Sequence, residues 1–274
     1  MHGSDAANPA QAPAEGRKLF PEERRAIVLD LLATTPKVLV ADLADRFGVS
    51  TFTVRADLDE LEREGKLTRC HGGAMAVGKT AFVEEYEKRF AQNRASKQRI
   101  GELSARLVEP GDSVIVDTGT TTIELVRCLA GISDLTLLTS DLEIASLAEK
   151  TIPHANVFFL GGYVRAGLRY TYGTAVLRML EPFNVDKAFV SANAFSVDRG
   201  FTSESVEQAE IKAAYMAHAR ERYILADSSK AGHVALSSFA YAEDIDGLVT
   251  ERALEPALAA ALRERNKDIR LICQ

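Results

Sequence analysis

Residues 117–122 of this 274-residue chain read Asp117-Thr118-Gly119-Thr120-Thr121-Thr122, between an apolar run at 113–116 and a helical pattern that follows at once. Those residue types can hold an anion. Glycine lets the backbone turn tightly, the threonines offer hydroxyls, and the free N–H groups of a helix start attract negative charge. A phosphate fits such a turn, although the same threonines could do no more than cap the helix. Three other apolar runs empty into small or polar loops: 135–138 into Thr139-Ser140-Asp141, 157–160 into Gly161-Gly162, and 223–226 into Asp227-Ser228-Ser229-Lys230. Singly, Gly161-Gly162 reads as a turn and Asp227 with Lys230 as a surface ion pair of little worth. Lys212 shares a helical pattern with Glu207 and Glu210 and reads as a solvated position, while Arg165 and Arg169 read as exposed loop charges open to recruitment by an anion. Together the loops point to one shared pocket.

What positions these loops is an alternation of short β-rich runs with helical patterns. The runs at 113–116, 135–138, 157–160, 188–191, 223–226, 248–250 and 269–272 are separated by patterns such as 123–129 and 205–220. This predicts an α/β domain with a mostly parallel sheet. Ligands of such sheets collect at the carboxyl ends of the strands, where all four loops fall. A helix from Lys97, with Ile100, Leu103 and Leu107 inward, leads in and stops at Pro110-Gly111.

A second chemistry lies at 47–74. Gly48 can take the left-handed conformation that ends a helix, and Ser50 can cap the next one. Val54, Leu58 and Leu61 recur at steps of four and three and form a buried stripe, leaving Phe52, Thr53, Arg55, Ala56 and Asp59 to project elsewhere. A short helix with a polar, Arg-bearing start can enter a DNA major groove. Beyond Gly65, residues 67–74 predict a hairpin whose turn uses the positive φ of Gly72 and Gly73, a wing that sets Lys66, Arg69 and His71 to meet phosphates. Two helices precede it. The first has Pro21 at its start, Glu22 and Glu23 in its first turn and Ile27, Val28, Leu31 and Leu32 inward, and Pro36 closes it. Residues 38–40 read as a short apolar linker to the second, with Leu43, Ala44 and Phe47 inward.

The rest of the chain sets limits. Apolar residues make up 46% and charged ones 26%, with no run near the roughly 20 apolar residues that span a bilayer, so a cytoplasmic location and no membrane partner are expected. A net charge of −6 argues against a general nucleic-acid coat, whereas a sequence-specific reader needs only a local basic surface. Cys70, Cys128 and Cys273 are far apart and have no nearby His, so neither a metal site nor a disulfide framework is indicated, and no cofactor is expected. The expected division is a disordered tail at 1–18, a winged helix-turn-helix at 19–78, a linker at 79–96 and the α/β domain at 97–274.

These residues resemble the DeoR family of bacterial transcriptional regulators from about Pro21 onward. The N-terminal match rests on Glu23-Arg24-Arg25, Phe47-Gly48-Val49-Ser50, Thr53-Val54-Arg55, Asp57-Leu58, Leu61 and Arg69-Cys70-His71-Gly72-Gly73-Ala74. The C-terminal match rests on Gly111-Asp112, Asp117 to Thr121, Gly161-Gly162, Asp186 with Phe189, Gly200-Phe201-Thr202, Lys212 and Asp227-Ser228-Ser229-Lys230. The resemblance implies a sensor domain of sugar-phosphate-isomerase-like fold. It also implies a repressor that works as a homodimer or homotetramer on inverted-repeat operator DNA and answers to a phosphorylated sugar or related metabolite.

On that reading Ser50, Thr51, Phe52, Thr53, Arg55, Arg69, His71 and Gly72 face DNA. The effector is met by residues 117–122, Ser140, Gly161, Gly162, Phe201 and Thr202, with Lys212 and Lys230 adding positive charge and Asp227 or Glu207 bonding sugar hydroxyls. Three departures stand out: Ala56 where the family has a second arginine, Ser140 where it often has Asn, and Ser191-Ala192-Asn193-Ala194 where many members show glycines. The rival expectation is a sugar-phosphate isomerase with a DNA-binding appendage, but the sequence shows no unmistakable catalytic constellation.

Overall fold

The computed structural model describes residues 19–34, 37–70, 72–76, 89–165 and 167–273, which fall into two compact units, residues 1–84 and 85–274. In the first, helices Pro21–Thr34, Val40–Phe47 and Thr51–Arg63 pack against a small antiparallel sheet of β1 (Lys37–Leu39), β2 (Leu67–Cys70) and β3 (Gly73–Ala76), in the order β1-β3-β2. The turn between the second and third helices follows its residues. Gly48 stands at φ 62°, its N–H and that of Val49 returning to Asp45 O and Ala44 O, and Ser50 Oγ accepts the Thr53 N–H at 3.2 Å. Val54, Leu58 and Leu61 are buried among Val28, Leu32, Leu43, Phe47 and Leu67, the face their spacing predicts.

Two expectations are corrected here. Residues 38–40 are not a plain linker, because Val38 and Leu39 pair with Ala74 and Gly73 as the third strand of the wing sheet. Nor do both glycines supply positive φ. Gly72 does, at 77°, whereas Gly73 lies in β3, where a Cβ would stand 2.0 Å from Val38 O, so its lack of a side chain permits the close strand approach. One ion pair crosses this core: Arg24 Nε and Nη2 donate to the two oxygens of Asp57 at 2.7 and 3.1 Å, and Nη1 donates to Leu19 O.

The second unit is built on a seven-stranded parallel sheet. Its strands are β4 (Ser113–Val116), β5 (Thr136–Thr139), β6 (Asn156–Phe159), β9 (Val185–Ser191), β12 (Ala219–Leu225), β14 (Gly247–Val249) and β15 (Arg270–Ile272), in the order β15-β14-β12-β9-β4-β5-β6. Both faces are buried, as near-continuous apolar strands require. Ile115, Leu138, Val190, Ile224 and Leu248 join helices Thr174–Leu180, Val206–Ala217 and Pro256–Arg265 in one cluster. Val114, Val116, Leu137, Phe189, Tyr223 and Val249 join Arg94–Ala105, Thr120–Arg127 and Leu142–Thr151 in the other. The remaining strands form a hairpin of β7 (Tyr163–Arg165) with β8 (Tyr170–Tyr172) and a small sheet of β10 (Ala194–Ser196), β11 (Gly200–Ser203) and β13 (Ser237–Ala240).

Boundaries moved at two places. The helix expected from Lys97 starts at Arg94, inside the segment read as linker, and the pattern read as helical to residue 220 ends at Ala217, with β12 already running from Ala219. Among the described residues no helix is long and apolar enough to cross a membrane.

The Arg24 and Asp57 pair gives the first test. Asp57→Ala leaves a guanidinium in the core without its carboxylate, and chemical denaturation of the full chain is expected to show a loss of about 3–5 kcal/mol from the N-terminal unit. A loss below about 1 kcal/mol would remove the pair from the account of what holds that unit together.

Candidate effector crevice and nucleic-acid interface

The chain crosses the large sheet outward from β4 in one direction through β5 and β6, and in the other through β9, β12, β14 and β15. The two directions part between β4 and β9, and a crevice opens outside the carboxyl ends of strands at such a reversal. Asp117 follows β4 and Ser191 ends β9, so the residues first singled out for anion chemistry stand at this point.

Asp117 is fully buried. Its Oδ2 accepts the Ser191 N–H at 3.0 Å, the Ser191 hydroxyl at 2.9 Å and the ammonium of Lys212. Lys212 Nζ also donates to Ser191 O at 3.0 Å and lies over the Phe239 ring, 5.7 Å from its centroid. The solvated position expected for Lys212 is therefore wrong: the helix presents Glu207 and Glu210 to solvent, and a different face turns Lys212 inward to neutralise a buried carboxylate. Thr118 Oγ1 donates to Asp141 Oδ2 at 2.7 Å, while Asp141 Oδ1 accepts the N–H groups of Glu143 and Ile144 and so caps the next helix. Burial raises the Asp141 carboxyl above its ordinary value, and the Thr118 hydroxyl opposes that rise.

The helix Thr120–Arg127 has no side-chain cap. Gly119 precedes it at φ 146° and leaves the N–H groups of its first turn without an intrahelical acceptor. Thr122 spends its hydroxyl on Gly119 O at 2.7 Å, Thr121 is buried, and Thr120 is half-exposed at the rim. Buried polar atoms with no hydrogen-bond partner include Asp117 Oδ1, Ser140 Oγ and the Tyr215 hydroxyl, the last two lying against one another, and, on the helix of Lys212, both Oε1 and Nε2 of Gln208. Burial drives the Tyr215 hydroxyl far above the ordinary tyrosine range. A buried polar group without a partner costs about 1–3 kcal/mol. A cluster of them beside an uncapped helix start is a place prepared for a polar ligand or ordered water.

The loop after β12 forms a second wall. Asp227 Oδ1 accepts the Ser229 N–H at 3.1 Å and Asn93 Nδ2 at 3.2 Å, and Asn93 Nδ2 also reaches Ser229 Oγ at 3.1 Å. Asn93 holds the left-handed conformation, φ 53°, at the start of the Arg94–Ala105 helix. One turn on, buried Lys97 donates to Arg89 O and Gln92 O. Burial lowers its ammonium below the ordinary lysine value and Asp227 opposes that. Arg89 pairs with Glu204 at 2.5 Å, just before the helix that carries Lys212. The stretch 89–97 is thus fastened to both walls. Lys230 is half-buried and has no ion-pair partner among the described residues.

The remaining expected effector residues have contacts of their own. Phe201 packs on Phe195 in the small sheet, and the Thr202 hydroxyl donates to Ala194 O while accepting the Ala235 N–H, which leaves it no free hydrogen. Glu207 is exposed, its carboxyl held below its ordinary value by the Ser205 hydroxyl. Gly161 N–H meets Met179 Sδ at 3.2 Å, and Gly162 permits close passage past Tyr172 O. Arg165 lies over the Tyr172 ring and Arg169 pairs with Glu143. Gln208, Ser191, Asn93 and Tyr215 escaped the sequence reading, since nothing in residue type alone tells a buried Gln from an exposed one.

In the N-terminal unit, Thr51, Phe52, Arg55 and Ala56 are exposed along one side of Thr51–Arg63, with Phe52 at 78%. Thr53 is half-buried and shares a 3.0 Å contact with Ser50 Oγ. Arg55 carries its charge outward, without an ion-pair partner among the described residues. Arg69 does not: Nη1 donates to Asp59 Oδ1 at 2.8 Å and to Arg55 O at 3.2 Å, which ties the wing to the helix instead of aiming at phosphates. Gly72 is exposed at the wing turn, and His71 lies outside the described residues.

A DNA-reading winged helix-turn-helix joined to an α/β sensor defines a two-domain regulator. A DeoR-like helix-turn-helix domain matches residues 24–80, and the DeoR C terminal sensor domain matches residues 92–252. The chain is 32% identical over 245 residues to the uncharacterized HTH-type transcriptional regulator YgbI of Escherichia coli (strain K12), covering 89% of this chain and 95% of that one. It is 30% identical over 249 residues to the HTH-type transcriptional repressor GlcR of Bacillus subtilis (strain 168), covering 90% and 95%. A ribose 5-phosphate isomerase A from Methanocaldococcus jannaschii aligns with 51% of this chain and 55% of its own at TM-score 0.38 and 18% identity, a slight likeness. The chain belongs to the DeoR family of transcriptional regulators. It is a DNA-binding regulator and not an isomerase.

The two arginines should separate in experiment. Arg55→Ala is expected to leave thermal stability unchanged within about 0.5 kcal/mol and to weaken DNA binding, with the salt slope falling by about 0.9 if Arg55 meets a phosphate. If it meets a guanine, base preference relaxes by about 1–3 kcal/mol instead. Arg69→Ala is expected to lower the melting temperature. The reverse pattern would exchange their roles.

Proposed function

We propose that this protein is a repressor whose hold on an inverted-repeat operator is set by a phosphorylated sugar or closely related metabolite in the crevice between β4 and β9. The observation that carries this reading is the uncapped start of Thr120–Arg127 beside the unpartnered Asp117 Oδ1. The phosphate takes the free N–H groups of residues 120–122, as anions do at helix starts. Lys230 supplies the charge, while Lys212, already committed to Asp117 and Ser191, occupies Oδ2 and leaves Oδ1 to accept a sugar hydroxyl. A relative named as a putative aga operon transcriptional repressor, from Escherichia coli O157:H7 and 27% identical over 263 residues, supports the reading as an operon repressor.

Coupling to DNA runs through residues 89–97. Asn93 binds the loop after β12 and Arg89 binds Glu204, so a ligand that draws Lys230 or the Lys212 helix inward shifts the stretch leading back to the reading unit. A ligand moves that equilibrium only by its differential affinity for the two arrangements. Two copies in a dimer, or four in a tetramer, would place recognition helices on successive half-sites one helical turn apart.

The test combines gel shifts on DNA upstream of the protein's own and neighbouring genes with thermal melts against a panel of sugar phosphates. At least one is expected to raise the melting temperature and change operator affinity by 5-fold or more, roughly the lower bound for allosteric coupling. Asn93→Ala is expected to keep the thermal response and lose most of the operator response. Absence of any thermal response across the panel removes the effector reading, and an undiminished operator response in Asn93→Ala removes the coupling route.

A further inference from the structure

The geometry points to Gln208 as the residue that reads the hydroxylated part of the effector, an inference that rests on the sugar-phosphate reading above. The Val206–Ala217 helix runs antiparallel to β9: at its far end His218 O accepts the Val185 N–H at the beginning of the strand, and Lys212 reaches Ser191 at the strand's carboxyl end. Gln208 lies one turn before Lys212, about 6 Å farther out along the axis, beyond the strand ends and over the crevice. Gln208, Lys212 and Tyr215 are all buried on the helix face turned toward the sheet, whereas Glu207 and Glu210 face solvent.

Gln208, at the outer end of this row, leaves both of its polar atoms unmet. It is 6% exposed, yet neither Oε1 nor Nε2 has a hydrogen-bond partner. Lys212 is fully engaged one turn away, so the contrast is not a general looseness of the helix. A carboxamide presents two N–H donors and one oxygen acceptor side by side. Phosphate oxygens satisfy only the donors and leave Oε1 without a partner. A hydroxyl, or a pair of neighbouring hydroxyls, both donates and accepts and so satisfies both atoms. Being neutral, Gln208 sets no charge against a nearby phosphate. This complement is the polyol chain of a phosphorylated sugar, and Gln208 becomes the group that separates sugar phosphates from inorganic phosphate and from one another.

Gln208→Met keeps the length of the side chain and removes both polar atoms, and Gln208→Leu serves as a second variant should one fail to fold. Thermal melts and calorimetry of the full-length protein would use inorganic phosphate, glycerol 3-phosphate, ribose 5-phosphate, glucose 6-phosphate and fructose 6-phosphate. In the wild type a sugar phosphate is expected to bind more tightly than inorganic phosphate. In either variant that preference falls about tenfold, the loss of one good hydrogen-bonded contact, while the response to inorganic phosphate stays as it was. The ligand-free melting temperature is expected to hold or rise, because an unpaired amide has been replaced by an apolar group of similar shape. A wild-type preference retained in both variants, or a ligand-free melting temperature that drops in both, overturns the role of Gln208 and leaves the sugar-phosphate reading standing. A wild type that responds to none of the five compounds removes the reading and this inference together.

Discussion

The buried pair of Lys212 and Asp117 is the constraint on which the sensor unit turns. A carboxylate at zero exposure is costly unless a cation and hydrogen bonds meet it, and here both meet the same oxygen: Lys212 from the covering helix and Ser191 from the end of the neighbouring strand. The pair therefore fixes the helix against the sheet at the reversal between β4 and β9. It also engages only one oxygen of Asp117, so the second is left buried and without a partner. The N-terminal unit uses the same device. Arg24 and Asp57 lock the first helix to the recognition helix, which fixes the side that Phe52 and Arg55 present.

Much of this was legible from the order of residues. Every strand of the large sheet contains or overlaps an apolar run, because the middle of the sheet is covered on both faces; β12 opens with Ala219-Arg220-Glu221-Arg222 and shows its run only in its second half. Gly48 and Ser50 announced the turn before the recognition helix, since the left-handed stop and the hydroxyl cap depend on residue type alone. The short strands β7, β8, β10, β11 and β13 left no such trace. They mix polar residues into three- or four-residue stretches such as Tyr163–Arg165 and Ser237–Ala240, with no continuous apolar run to mark them, and they are set by tertiary pairing. Residues 38–40 belong with them: their partner is the wing, more than thirty residues away in sequence, and no local pattern reveals it.

Side-chain roles were harder to read than positions. Lys212 and Glu210 are both charged and stand two apart on one helix, yet one neutralises a buried acid and the other meets water. Arg55 and Arg69 divide likewise, one outward and one folded onto Asp59. Which face of a helix turns inward is decided by what packs against it, and sequence spacing fixes faces only up to that rotation. Ala56 sharpens the point. With no second arginine beside Arg55 and with Arg69 engaged, the exposed start of the recognition helix offers one free guanidinium and the ring of Phe52.

The fastening of residues 89–97 also sets a ceiling. The two Asn93 hydrogen bonds and the pair of Arg89 with Glu204 join that stretch to the crevice walls, and a few such contacts at partly exposed positions are together worth about 2–3 kcal/mol. If the signal passes through them, no effector, however tightly it binds, can change operator affinity by more than roughly 30- to 150-fold. Such a regulator grades expression between a low and a high level and never reaches complete silence or complete release, and its dynamic range is written in three side-chain contacts instead of in the strength of its ligand site.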